Sequence, residues 1–202
     1  MEGYRPTAMS DGFVKALWRF PVLAMAGERL RSTQVDSRGV AGDRQHYASG
    51  PEGRLTTQDL PALAEWAATF PFNPDGAIVP DREPPFPVLA GPGGLKSWRW
   101  GDPRLAYALE RELGRTVELV RDVEAARGVI VATVRPDIPQ MIAGINVHLK
   151  LDLPGGGWAG RQLVFRDGVR LRLVASRGDG PGIEAEVVEP GRLVLGEPVT
   201  LS

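Results

Sequence analysis

The chain contains no cysteine, and that absence removes disulfides, thiolate metal sites and a cysteine nucleophile together. Histidine is scarce as well: His46 and His148 are too few for a histidine-rich metal site. No Asp/Glu spacing marks a carboxylate cation site, so no metal is expected from the residues alone. Long apolar runs are missing, none reaching the roughly 18 residues needed to cross a bilayer. The polar start from Met1 to Gly12 lacks the basic-then-apolar order of a secretion signal. No membrane partner is expected, and the cytoplasm is the expected compartment. A formal net charge of −1 supplies no positive field to hold a phosphate backbone, which argues against nucleic acid. Gly91-Pro92-Gly93-Gly94 and Gly155-Gly156-Gly157 lack a following Lys-Ser/Thr and read as turns rather than phosphate cradles. No Gly-x-Ser-x-Gly nucleophile motif is present.

What is present suits one compact core: 202 residues, 43% hydrophobic and 24% charged. A single domain is expected over 13–202, with a flexible N-terminus over 1–12 and a proline-rich irregular insertion near 70–94. The sequence leaves the oligomeric state open. Glycine and proline, 25 and 18 residues, punctuate the chain into short segments and favour a mainly β (α+β) fold. Strands are expected over Phe13 to Phe20, Arg29 to Asp36, Thr116 to Arg121, Gly128 to Val134, Gly144 to Leu151, Gln162 to Phe165, Val169 to Ala175, Ile183 to Val188 and Arg192 to Leu195. So many short strands suggest a closed barrel, because closure removes exposed edges. Two helices flank it in this reading. Asp102 as cap, Pro103 in the first turn and Gly114 past the end bracket a stripe of Leu105, Ala108, Leu109 and Leu113. A second helix is expected over Asp59 to Thr69, with Leu60, Leu63 and Ala67 near helical spacing.

Several ordered blocks resemble MOSC-domain proteins, the family named after the C-terminal domain of molybdenum cofactor sulfurase. These are Val14 to Val22, Gly27 to Leu30, Arg38-Gly39-Val40-Ala41-Gly42-Asp43-Arg44, Leu55-Thr56-Thr57-Gln58-Asp59-Leu60-Pro61, Trp158-Ala159-Gly160-Arg161 and Gly182 to Val199. The resemblance implies a MOSC-like β-barrel with a few flanking helices and a cleft for a molybdopterin-type cofactor or for sulfur or N-oxygenated substrates. The departures fall in that cleft. Leu23 and Ala24 stand where the family places lysine and serine, Gln58 where it often has arginine, and Gly144-Ile145-Asn146 where it has Arg-Pro-Asn. The family's cysteine lies in a segment that is reduced here to Ala175 to Pro181. An anionic pterin phosphate and an oxo-metal centre need cationic side chains and a soft thiolate. Each lost charge-assisted hydrogen bond removes about 1.5–3 kcal/mol, so the chain reads as a degenerate member with the cofactor role abandoned.

Period-two alternation puts Asn146, His148, Lys150 and Asp152 on one strand face and Ile145, Val147, Leu149 and Leu151 on the other. If Asn146 points into the cleft, as the resemblance implies, so does His148, a group that titrates near neutrality beside an amide. The alternative is a solvated strand exterior, with Lys150 and Asp152 reaching the rim. Arg44 is a candidate clamp for a carboxylate or enolate oxygen, and with Asp43 it equally fits a brace for the turn. Thr56, Thr57, Gln58 and Leu23 are candidate substrate contacts, the threonines doubling as caps for the helix that follows. Trp98 and Trp100 share one side of an extended segment, suited to stacking on a flat ligand or to covering the barrel. His46 is expected at the surface or in packing. Subtraction leads to a cofactor-independent enzyme acting on a small organic substrate by cyclisation, isomerisation or elimination. The alternatives are a molybdenum-cofactor oxidoreductase or sulfur carrier, and a non-catalytic binding or scaffold protein.

Overall fold

The computed structural model describes residues 10–71, 85–124, 128–133, 144–151, 157–176 and 182–202. Seven strands close into a barrel in the order Val147–Leu151, Val129–Thr133, Ile183–Glu189, Arg170–Ser176, Gln162–Phe165, Pro198–Leu201 and Gly12–Arg19, which pairs back with Val147–Leu151. The expected mainly β barrel is borne out. Every pairing in the ring is antiparallel except that of Val129–Thr133 with Val147–Leu151. Alternate residues fill the interior, among them Val14, Val131, Val147, Leu149, Leu163, Phe165, Leu171 and Leu173. Burying each such side chain stabilises the fold by about 1.5–3 kcal/mol.

The opening strand is not regular. Its register against Val147–Leu151 shifts between Val14 and Ala16, a bulge that accommodates Lys15. Val14 and Leu17 therefore both enter the core, which leaves Ala16 and Trp18 on the outer face.

A second apolar cluster packs beside the barrel around Val22, Met25, Leu63, Trp66, Leu89, Leu105 and Leu109. Two small sheets border it: Glu118–Arg121 with His46–Gly50 and Gly53–Arg54, and Ala67–Thr69 with Val88–Ala90 and Ser97–Arg99. The helix Pro103–Leu113 has the expected form. Asp102 Oδ1 accepts from the Arg104 amide at 2.9 Å, and Gly114 ends the helix in the left-handed region at φ 68°. Leu105, Ala108, Leu109 and Leu113 are its buried stripe.

Other expectations need correction. The helix expected over Asp59 to Thr69 is a short 3-10 helix, Pro61–Glu65, followed by the strand Ala67–Thr69. Trp66 breaks the helix with extended backbone at ψ 144°, which drops its indole fully into the second core. The strand expected over Arg29 to Asp36 divides at Arg31 into Glu28–Leu30, on the barrel, and Ser32–Asp36, which pairs with Gly39–Val40 and Gly191–Val194. The insertion near 70–94 is not wholly irregular, because Val88–Ala90 is paired on both sides. Asp11 Oδ2 accepts from the Leu201 amide at 2.7 Å, and Gly12 is the first barrel residue. Residues 1–9 and 72–84, with Val134, Asp152, Gly155, Gly156 and 177–181, lie outside the described residues.

One contact ties the Ser32–Asp36 hairpin to the barrel. Gly39 forms a bridge to Gly128, and a Cβ on Gly39 would fall 2.3 Å from the Gly128 carbonyl oxygen. Gly39 has φ +124°, a second reason that only glycine fits there.

Candidate functional site on the outer barrel wall

Val147 and Leu149 point into the barrel, so alternation sends Asn146 and His148 to the outer face. Both are buried there, Asn146 at 0% exposure and His148 at 6%. The expectation of a solvated exterior fails for these two residues. Lys150 is exposed and lies over the Phe13 ring, 5.9 Å from its centroid, at the rim.

The turn after Gly42 delivers the guanidinium. Asp43, fully buried, accepts the Phe20 amide at 2.7 Å through Oδ1 and holds Arg44 Nε at 2.5 Å through Oδ2. The Arg44 backbone takes φ 49°, an uncommon value for a non-glycine residue, fixed by its amide donating to the Phe20 carbonyl at 2.6 Å. Arg44 Nη2 donates to Asn146 Oδ1 at 2.9 Å, across 102 residues of sequence, and to the Gly128 carbonyl at 3.5 Å. Nη1 makes no hydrogen bond among the described residues and is not sealed from solvent. Asp43 and Arg44 thus brace the turn.

Asn146 is the fastener. Its Oδ1 also accepts the Ile130 amide at 3.1 Å, while Nδ2 donates to the Trp18 carbonyl at 3.3 Å. One amide thereby joins two barrel strands to the Arg44 turn and keeps one Nδ2 proton unspent.

His148 sits between two methyl groups, since its register neighbours are Ala16 on one strand and Ala132 on the other. Its Nε2 is buried without a hydrogen-bond partner. Burial holds the imidazole below its ordinary pKa, so it is neutral at pH 7. A neutral imidazole with small neighbours and an unspent nitrogen can accept or deliver a proton.

The remaining candidates belong elsewhere. Thr56 spends its hydroxyl within its own turn, donating to Asp59 Oδ2 at 2.7 Å and accepting the Gln58 amide at 3.2 Å. No side chain caps the 3-10 helix, so the capping role expected of Thr56 and Thr57 is confined to that turn. Leu23 is half-buried and donates its amide to the His46 carbonyl at 2.8 Å. Trp98 packs 5.7 Å from Trp66, and both Trp98 and Trp100 border the second core. His46 is not at the surface. It is fully buried, with Nδ1 3.2 Å from the Pro21 carbonyl and Trp100 edge-on at 4.6 Å. Burial, with the Arg121 cation adding to it against the Pro21 carbonyl, pushes its pKa down to about 4.

Sequence reasoning missed Ala16, Ala132, Trp18, Ile130 and Gly128 at this wall. Only the strand pairing could have revealed them.

These residues do not fit the cofactor that the resemblance implies. The chain has no thiolate to offer a metal. The Arg44 cation is already matched by Asp43 and bonded to Asn146. Among the described residues, no group of three or more His, Asp or Glu is arranged to hold a metal ion. No helix among them is long and apolar enough to cross a membrane.

Comparison with protein-family models agrees with the barrel. Residues 11–82 match the family model of the MOSC N-terminal beta barrel domain, and the MOSC resemblance read from the sequence is borne out there. That stretch supplies the strand Gly12–Arg19 and the Asp43-Arg44 turn. The chain is also similar to the solved structure of the YuaD protein from Bacillus subtilis, with 11% identity, 94% of each chain covered and a TM-score of 0.43. No curated protein sequence matches the chain.

Proposed function

We propose that this protein transforms a small organic molecule at the Arg44, Asn146 and His148 wall by isomerisation, cyclisation or elimination, without a resident cofactor. The observation that carries the reading is the His148 imidazole: buried, neutral, unpartnered at Nε2 and flanked by two alanines, on the strand whose Asn146 grips Arg44. In the tautomer with its proton on Nδ1, His148 Nε2 takes a proton from carbon next to an activating carbonyl. The C–H electron pair forms the new double bond, and the carbonyl pair moves to oxygen, where Arg44 Nη1 donates to the developing charge. The reaction closes when that proton returns at another carbon, or passes to a leaving group that departs with its electron pair. Asn146 is a positioning residue here, setting the guanidinium angle.

The test is mass spectrometry of a small-molecule extract from the native host, incubated with the protein or with His148→Gln. The expected result is conversion of at least one feature to an isomer or an elimination product, slowed about 10²–10⁴-fold in the variant. Equal conversion by both proteins overturns the reading. Near-stoichiometric molybdenum in protein from a molybdenum-replete host would favour the oxidoreductase or sulfur-carrier reading instead.

A further inference from the structure

We infer that the Trp100 indole is an acid-released latch on the second apolar core: when His46 takes up a proton, the indole swings outward and admits water to the imidazole. The Pro21 carbonyl lies 3.2 Å from His46 Nδ1 and can only accept, so the resting proton sits on Nδ1 and a second proton must arrive at Nε2. Nε2 is sealed from solvent and has no hydrogen-bond partner, so the new N–H would be a buried donor with nothing to receive it. Two rings cover the imidazole. Phe70 is the more distant at 6.4 Å and is held in place, with its amide donating to Glu28 Oε1 at 3.4 Å and the Arg19 guanidinium over its face at 4.8 Å. Trp100 is closer, edge-on at 4.6 Å, yet only half-buried. Its amide donates to the Pro87 carbonyl at 2.8 Å, which pins the backbone, while Gly101 beside it has nothing within 4 Å of where a Cβ would lie. The side chain can turn with the strand in place.

The charged groups on the elements around His46 are these. Arg121, its register partner on Glu118–Arg121, carries the same sign and opposes protonation, and Glu118 stands at the far end of that strand opposite Ser49. Asp122 follows and is paired with Arg54 at 2.8 Å. Over Phe70, Arg19 is paired with Glu28 at 2.6 Å. Arg99 precedes Trp100, and Asp102 after it is paired with Arg104 at 2.8 Å. Asp43 and Arg44, just before His46, hold each other. Loss of water around the ring keeps His46 neutral more strongly than the Arg121 charge does, so admitting water removes the larger obstacle. Below about pH 6.5, where a hydrated imidazole protonates, the released form gains about tenfold per pH unit on the latched one. As pH approaches about 4 it becomes the main folded form.

The experiment uses the full chain labelled with 5-fluorotryptophan, its five 19F signals assigned by replacing each tryptophan with phenylalanine. Those signals and the His46 imidazole resonances are followed from neutral pH down to about pH 4. Trp100 should gain solvent exposure, read as a growing difference between its 19F shifts in H2O and D2O, in step with His46 protonation. Trp66 in the second core and Trp158 on the barrel should keep theirs. In His46→Gln the Trp100 signal should lose its pH dependence. In Trp100→Ala the cover is gone, and the His46 midpoint should rise by about one pH unit or more toward 6.5. The wild-type titration decides alone if neither variant folds. Protonation of His46 with Trp100 unmoved overturns the latch, as does an unchanged Trp100 across the whole range. Joint movement of Trp66, Trp100 and Trp158 also overturns it, because acid would then be unfolding the chain rather than releasing one side chain.

Discussion

His46 and His148 are an instructive pair because burial alone does not separate them. Both are sealed to 6% exposure or less, both lack a partner at Nε2, and both are held below their ordinary pKa by burial. Their surroundings differ. His46 is wedged against Trp100 at 4.6 Å and Phe70 at 6.4 Å, with its other nitrogen on the Pro21 carbonyl. His148 has alanines as register neighbours and a guanidinium two residues along its strand face. The first imidazole is wedged among aromatic rings, whereas the second has only alanine methyls as its register neighbours. A buried histidine points to chemistry when its neighbours are small and a charge-stabilising donor is close by.

The comparison is broken most decisively by exchanging the roles. His148→Gln should cost about 10²–10⁴-fold in turnover while moving the urea midpoint little. His46→Gln should leave turnover within about twofold and cost about 1–3 kcal/mol of stability, because it loosens a filled aromatic junction. If His46→Gln abolished turnover with the fold intact, the assignment would be reversed.

Acid sharpens the same contrast. The folded state holds His46 unprotonated down to about 4, whereas the unfolded chain protonates it near 6.5, so between those values the unfolded state binds more protons. Stability is complete above pH 6.5 and falls by about 3 kcal/mol as pH drops to about 4, after which this contribution is spent. Urea titrations across that window should show the slope, and His46→Gln should flatten it. His148 acts with the same sign.

The smallest expected effect comes from enlarging a register neighbour of His148. Ala132→Val adds two methyl groups there, and should lower turnover about tenfold while costing about 1 kcal/mol of stability by thermal melting. No loss of turnover would mean that the ligand approaches from another side.

Legibility tracked sequence separation. The helix Pro103–Leu113 was readable because its cap, proline, stripe and terminal glycine lie within 13 consecutive residues. Alternation along Ile145 to Leu151 assigned His148 to the face opposite the core, which is where it lies. The segment after Asp59 misled because Leu63 suits a helical stripe and a single 3-10 turn equally well. What turned Ala67–Thr69 into a strand was its pairing with Val88–Ala90, some twenty residues away. The bulge at Lys15, the alanines beside His148 and the Arg44 to Asn146 bond depend on strand register between distant segments, and no local pattern encodes them.

Gly39 gives the wall an unexpected vulnerability. Its α-carbon rests against the Gly128 peptide, whose oxygen is also an acceptor of the Arg44 guanidinium. A single methyl at Gly39 would wedge hairpin and barrel apart and tilt that oxygen away. In a mutational survey, a position with no side chain and no access to any ligand would then rank among the most intolerant in the protein.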